Sequence, residues 1–249
     1  MKDLRLITIT LAMMTFVACG PIQRTRQSED TPVRTPETEN LLINLKKVSA
    51  RGFMFGHHDD TNYGIGWEGD EGRSDVKSVC GDYPAVISFD LGHIELGDTM
   101  SLDKVPFTKI RKEILNQYKR GGMSSLSWHL RNPLTGGDSW DVSDTTVVKS
   151  ILPGGANHEK FTGWVSKVSA FINSLQTEEG VKVPVLFRPW HEHTGSWFWW
   201  GEKLCTPEEY KALWHMTVDI LRNDGVDNAL YAYSPGSEPQ DTAQYLKRY

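Results

Sequence analysis

The sequence predicts an α/β protein of the (β/α)8 TIM-barrel class, of which about the first five βα units are present. From residue 41 onward, short apolar runs alternate with amphipathic segments, which is the pattern of parallel strands joined by helices. Polar and titratable residues follow the predicted strands directly, and no glycine-rich phosphate fingerprint follows the first strand. This combination favours a barrel over a dinucleotide-binding sheet.

The elements are predicted from the spacing of their apolar residues. Apolar runs predict strands at residues 53–56, 85–89, 124–127, 183–187 and 229–233. Apolar residues at three- and four-residue spacing predict helices at residues 41–50, 107–119, 161–175 and 207–221. Thr206, Pro207 and Glu209 form a capping box with proline at the first helical position, which marks the start of the last helix.

Two long loops are predicted to be functional, because long irregular segments are uncommon in compact domains. The loop at residues 61–75 carries Tyr63 and Trp67 among several glycines, and we expect it to form a wall of the site. The segment at residues 131–157 holds further polar and aromatic candidates, namely Asn132, Asp138 and Trp140.

Residues 1–18 are predicted to be a lipoprotein signal peptide. Lys2 and Arg5 precede an apolar segment that is too short to span a membrane, and this segment ends at Cys19. Cleavage before Cys19 and acylation of its thiol would export the protein and anchor it by lipid in the bacterial envelope. A plain secretory signal is the alternative. Residues 19–40 predict a disordered tether, and residues 41–249 the catalytic domain.

Composition limits the classes of partner. The chain has 249 residues, of which 39% are hydrophobic, and this is enough for one packed domain. A net charge of -5 without a basic patch argues against a nucleic-acid partner. We expect a monomer without a cofactor that meets the membrane only through its lipid anchor. Cys80 and Cys205 could form a disulfide or remain thiols, and the sequence leaves both open.

The chemistry is concentrated in residues 188–201. The predicted fourth strand ends directly before Arg188, and His191 and Glu192 follow, accompanied by four tryptophans. We interpret Glu192 as an acid/base, His191 and Arg188 as groups that tune it, and the tryptophans as a surface for stacking. The alternative is that the tryptophans form core and that Glu192 is a solvated loop carboxylate.

This stretch resembles the signature of glycoside hydrolase family 26, most of whose members are β-mannanases. Trp128-His129 after the third strand and Tyr233-Ser234-Pro235 after the fifth also resemble the family, and the resemblance covers roughly residues 41–249. It implies a retaining endo-1,4-β-mannosidase acting on mannan, galactomannan or glucomannan. It implies the acid/base role for Glu192, with His191 holding the nucleophile. The substrate-binding residues that it implies are His129, Trp197, Trp128, Arg188 and Tyr233.

One departure from the family is expected to matter. A retaining glycosidase needs two carboxyl groups about 5 Å apart, and in this family the nucleophile is a second Glu at the end of the seventh strand. Only 13 residues follow Gly236, so we expect an incomplete barrel without the nucleophile, inactive and poorly stable alone. Asp90, Glu95 and Asp138 are possible substitutes, but loop carboxylates more often hold substrate or cap turns.

Three other interpretations stay open. A metal could bind at residues 57–60 or 191–193, but Gly195 stands where a zinc helix would place its second histidine, so we expect no metal. A non-catalytic lipoprotein that binds mannan or another β-glycan would keep the tryptophans and dispense with the second Glu. A related β-glycanase could act on xylan or mixed-linkage glucan. Endo and exo action are equally undecided.

Overall fold

The computed structural model describes residues 33–236 and 241–249. The predicted signal peptide, Cys19 and most of the predicted tether lie outside the described residues and stay predictions. Helix α1 (Pro36–Ser49) begins before the predicted residue 41, because Thr35 accepts a hydrogen bond from the Thr38 amide and Pro36 occupies the first turn. Residues 36–40 therefore belong to this helix and not to the predicted tether.

Strands and helices alternate along the rest of the chain. They are β1 (Gly56–His58), β2 (Tyr63–Gly64), β3 (Trp67–Glu68), α2 (Asp75–Cys80), β4 (Val86–Asp90), α3 (Phe107–Lys119), β5 (Met123–Ser127), α4 (Val147–Ile151), α5 (His158–Asn173), β6 (Val185–Arg188), α6 (Pro207–Asn223), β7 (Ala229–Tyr231) and α7 (Thr242–Arg248). β1, β4, β5, β6 and β7 form a parallel sheet in that order, and β2 and β3 form a separate hairpin. The predicted α/β class is confirmed.

Alternation along the strands separates two faces of the sheet. One face consists of completely buried apolar side chains that pack in a single core with α3, α5 and α6, namely Ile87, Phe89, Leu126, Val185 and Phe187. Burying a large apolar side chain stabilises a fold by roughly 1.5–3 kcal/mol. The other face carries Ser88 and Ser125, and at the carboxyl ends of the strands it carries the polar residues of the site.

The first strand was predicted too early in the sequence. The structure places it at Gly56–His58 instead of residues 53–56, and Phe53 and Phe55 are exposed. β1 lies at an edge of the described sheet and pairs only with β4. Phe53 and Phe55 precede Gly56, the first residue of β1 that pairs with β4, so the apolar run that predicted the strand lies before it.

Several smaller expectations have an outcome. The capping box of α6 is confirmed, since the Glu209 amide donates to Thr206 Oγ1 at 3.1 Å and the Thr206 amide donates to Glu209 Oε2 at 2.9 Å. Cys80 and Cys205 are both free, so they do not pair. In the described part of the chain, no helix combines the length and the apolar character needed to cross a membrane.

Candidate active site

The sheet brings polar residues together at its carboxyl edge. Asp90 ends β4, Ser127 ends β5 and Arg188 ends β6, and the three stand in register across neighbouring strands. His129 and Glu192 follow these ends by a few residues along the chain. Parallel strands place their carboxyl ends at one edge, and in barrels that edge holds the chemistry.

Glu192 is held in an unusual backbone conformation. Its φ angle is 57° and that of Trp190 is 52°, in the left-handed region that side chains other than glycine rarely adopt. The Glu192 amide donates to the Ser234 carbonyl at 2.7 Å, and the Gly195 amide donates to the Glu192 carbonyl at 3.0 Å. Backbone strain of this kind costs about 1–3 kcal/mol and is concentrated at functional sites, so the turn is a candidate for a functional one.

The carboxylate of Glu192 has defined neighbours. Trp197 Nε1 donates to Glu192 Oε2 at 3.0 Å. Arg188 Nη1 donates to Ser234 Oγ at 3.0 Å. Burial lowers the pKa of Arg188, while the charges of Glu192 and Asp90 act to raise it. The structure therefore places the predicted residues Glu192, Trp197 and Arg188 together.

Two histidines and an aspartate form a second polar group beside Arg188. His129 Nδ1 lies 2.7 Å from Asp90 Oδ2, and His129 Nε2 lies 3.0 Å from His191 Nε2. Burial acts to raise the pKa of Asp90, but hydrogen bonds and the charge of His129 outweigh it and hold this pKa far below its usual range. Burial, with the charges of His129 and Arg188, lowers the pKa of His191 to about 3.

Three aromatic rings at this edge are open to solvent. The exposed fractions of Trp197, Trp140 and Tyr233 are 38%, 50% and 42%. Trp140 stacks on His129 with a centroid distance of 5.3 Å and an interplanar angle of 9°. The sequence singled out Trp140 only as a member of a long loop, and nothing in its spacing indicated that it would reach His129.

The prediction that the four tryptophans of residues 188–201 form a stacking surface is wrong for three of them. Trp190, Trp199 and Trp200 are completely buried and belong to the core. Trp128 was predicted to bind substrate, but it is completely buried as well, and its Nε1 donates to Glu95 Oε2 at 3.0 Å. Direct contact of Trp128 with a sugar is excluded in this structure. Indole rings bury a large apolar area, and here the core takes them.

The three carboxylates considered as substitute nucleophiles have other tasks. Asp90 is buried and binds His129. Glu95 is buried and accepts hydrogen bonds from Trp128 and from the Arg131 amide, and burial raises its pKa. Asp138 Oδ1 accepts the Trp140 amide at 2.9 Å, which is a turn contact.

The loop that was predicted to be a site wall is a small hairpin. Trp67 is buried, and its Nε1 donates to Asp75 Oδ1 at 2.7 Å. Tyr63 is partly buried, and burial together with the charge of Asp59 raises its pKa. Neither Trp67 nor Tyr63 is as exposed as Trp197. The role of this loop as a wall of the site stays a prediction.

Metal binding has one candidate group in the described residues. The ligand atoms of His58, Asp59 and Asp103 lie within 4.8 Å of one another. His58 Nε2 already faces Asp59 Oδ2 at 3.3 Å, so we assign no metal there. In the other predicted metal site, His193 stacks on Tyr210 with a centroid distance of 4.2 Å, whereas His191 contacts His129. The two histidines therefore have different partners. The expected absence of a metal stays a prediction.

Comparisons with known sequences match this chain to one protein family. The sequence model of glycosyl hydrolase family 26 matches residues 31–248. The chain is 36% identical over 222 residues to a mannan endo-1,4-β-mannosidase of Bifidobacterium adolescentis, covering 86% of this chain and 22% of the relative. It is 27% identical to a mannan endo-1,4-β-mannosidase of Bacillus subtilis, covering 81% of this chain and 57% of the relative.

Solved structures agree as well. A β-mannanase of family 26 from Bacteroides ovatus superimposes with a TM-score of 0.85 at 64% identity, over 87% of this chain and 63% of that chain. An endo-β-1,4-mannanase of Cellulomonas fimi gives 0.79 at 34% identity, over 88% of this chain and 50% of that chain.

The described sheet and these comparisons define a protein of the (β/α)8 barrel class. The chain belongs to glycoside hydrolase family 26, as the resemblance implied. It spans less than two thirds of the length of each relative and structure compared above.

Proposed function

We propose that the protein supplies the acid/base, Glu192, for the hydrolysis of β-1,4-mannosidic linkages in mannan, galactomannan or glucomannan with retention of configuration. The observation that carries this proposal is the position of Glu192. Its carboxylate accepts a hydrogen bond from the half-exposed Trp197 at the carboxyl edge of the sheet. An acid/base must reach the glycosidic oxygen while an aromatic face supports the sugar ring.

Substrate contacts are assigned to the exposed rings and the polar groups between them. Trp197, Trp140 and Tyr233 offer faces to sugar rings, and His129 offers a nitrogen to a hydroxyl group. Arg188 holds the turn after β7 through Ser234 and supports Glu192 by its charge. The mannan endo-1,4-β-mannosidases among the relatives support mannan as the substrate.

The nucleophile is proposed to come from outside the described residues. The contacts of Glu192 in this part of the chain involve an indole, a guanidinium charge and backbone groups. The three candidate carboxylates have the structural partners given above. We therefore propose that the described residues supply the acid/base and that the nucleophile lies outside them.

The proposal that the described residues hold the acid/base without the nucleophile can be tested in the synthetic direction. With α-mannobiosyl fluoride as donor and mannobiose as acceptor, Glu192 would take the proton of the attacking hydroxyl while fluoride leaves and a β-1,4 linkage forms. We expect mannotetraose from the unmodified chain and none from Glu192→Gln. The matched control is Glu159→Gln, which changes an exposed carboxylate on α5 and should leave the yield unchanged.

Each outcome decides a separate part of the proposal. Equal yields from Glu192→Gln and the unmodified chain would refute the acid/base assignment. Hydrolysis of mannohexaose by the unmodified chain would refute the missing nucleophile. Preference for cellobiosyl or xylobiosyl fluoride would refute mannan as the substrate.

Non-catalytic β-glycan binding is the second candidate function. The observation that favours it is the set of three exposed rings, which can bind sugars without chemistry. It predicts that mannohexaose quenches tryptophan fluorescence in a saturable manner while no coupling product forms.

The cellular location is also a proposal. We propose that Cys19 is acylated and anchors the protein in the bacterial envelope, because it ends the apolar segment of a lipoprotein-like signal. Metabolic labelling with palmitate should mark the protein, and Cys19→Ser should abolish the label. A labelled Cys19→Ser variant would contradict this assignment.

A further inference from the structure

Asp90, His129 and His191 form a continuous chain of polar contacts at the carboxyl edge of the sheet. Asp90 Oδ2 lies 2.7 Å from His129 Nδ1, and His129 Nε2 lies 3.0 Å from His191 Nε2. Asp90 and His191 are buried, while His129 is partly exposed. His129 therefore meets Asp90 through Nδ1 and His191 through Nε2.

The carboxylate of Asp90 is surrounded by donors. Ser127 Oγ donates to its Oδ2 at 2.6 Å, and the amides of Gly92 and His129 donate to its Oδ1 at 2.7 and 3.1 Å. These bonds and the neighbouring His129 keep the pKa of Asp90 low in spite of its burial. An ionised carboxylate only accepts hydrogen bonds, so the proton between Asp90 and His129 belongs to His129 Nδ1.

We propose that Asp90 is a positioning residue that sets the protonated nitrogen of both histidines. With both rings neutral, His129 carries its proton on Nδ1 and His191 carries its proton on Nε2. The reason is that a neutral His129 with a proton on Nδ1 has a bare Nε2, so the proton between the two Nε2 atoms belongs to His191. His191 Nδ1 is outside hydrogen-bond geometry with the described residues, although the Arg188 backbone also acts on this ring to raise its pKa.

This arrangement deepens the proposed function and rests on it for its role in the reaction. The resemblance gives His191 the task of holding the nucleophile and His129 that of binding sugar. Both tasks depend on which ring nitrogens can donate. Asp90 is buried and acts through His129, so it positions these groups and does not touch substrate.

The test reads the ring nitrogens directly. Histidine labelled with ¹⁵N in the imidazole ring distinguishes protonated from bare nitrogens by NMR, and His129→Gln and His191→Gln assign the two rings. In the unmodified chain at slightly alkaline pH, we expect a proton on Nδ1 of His129 and on Nε2 of His191. Asp90→Asn places an amide donor opposite His129 Nδ1, so both rings should exchange their protonated and bare nitrogens.

Two controls separate this role from a general structural one. Ser127→Ala removes one donor to Asp90 and keeps the carboxylate, so both tautomers should persist. Glu95→Gln makes the same chemical change at another buried carboxylate, one that binds Trp128 and the Arg131 amide, and should also leave both rings unchanged.

Two results would overturn the inference. One is a proton on Nε2 of His129 in the neutral ring of the unmodified chain, and the other is unchanged rings in a folded Asp90→Asn variant. If that variant does not fold, the spectrum of the unmodified chain decides alone. The measurement involves no sugar, so its outcome is independent of the mannan and acid/base assignments.

Discussion

Acid should destabilise this protein through two buried histidines. Burial lowers the pKa of His193 to about 4, and burial with the charges of His129 and Arg188 lowers that of His191 to about 3. Both values lie below the ordinary 6.5 of the unfolded chain, so the unfolded state binds more protons as the pH falls from 6.5 towards 4 and 3. Linkage then removes about 2 kcal/mol of stability for each histidine between pH 7 and pH 5.

His193→Phe isolates one of these two contributions. The ring of His193 stacks on Tyr210 with a centroid distance of 4.2 Å, and phenylalanine keeps that contact. The variant loses the bond between His193 Nε2 and the Tyr245 hydroxyl, which costs about 1 kcal/mol at either pH. The loss of unfolding free energy between pH 7 and pH 5 should be about 2 kcal/mol smaller than in the unmodified chain.

Urea unfolding at the two pH values measures this difference, provided that the denaturant slope stays the same. The control is His215→Phe, which removes an exposed histidine of α6 and should leave the pH dependence unchanged. If His193→Phe and the unmodified chain lose the same free energy between pH 7 and pH 5, the linkage argument is refuted.

Two further predictions concern the edge that holds Glu192. Gly195→Ala would place its Cβ in steric overlap with the six-membered ring of Trp197, so the indole must move and mannohexaose affinity should fall about tenfold. Gly163→Ala meets open space on α5 and should leave binding unchanged in the same fluorescence titration. Trp197→Phe keeps a ring but removes the donor to Glu192, so synthesis from α-mannobiosyl fluoride should slow about tenfold. Trp164→Phe makes the same exchange of an indole for a phenyl ring on α5 and should keep the rate, whereas equal slowing would contradict the role of the bond from Trp197.

The inner part of the fold was predictable from the sequence because its pattern is local. The predicted helix at residues 107–119 has the same bounds as α3. The strands β4, β5, β6 and β7 were also found, with ends that differ from the predicted ones by at most two residues. β1 was misplaced, because its paired residues Gly56–His58 are exposed and carry no apolar side chain, while the apolar run that predicted the strand precedes them.

The site was predicted only where neighbouring residues in the sequence carry it. Arg188, His191 and Glu192 follow one strand, so one motif revealed them. The contact between Asp90 and His129 depends on the register of β4 against β5, which no short pattern contains. The sequence also did not show which tryptophans are exposed, because an indole suits a core as well as a sugar. Only the packed structure shows that Trp197 is exposed while Trp199 and Trp200 are buried.

The alignment of Asp90, Ser127 and Arg188 across three strands has a consequence for how this protein can vary. A slip of β5 by one residue would turn Ser127 towards the helices and Leu126 towards the open face. The packing of the apolar face on the helices therefore fixes the register of the polar groups on the other face of the sheet. Loops at the carboxyl edge can lengthen or shorten without moving these three residues, because the hydrogen bonds of the sheet set their spacing.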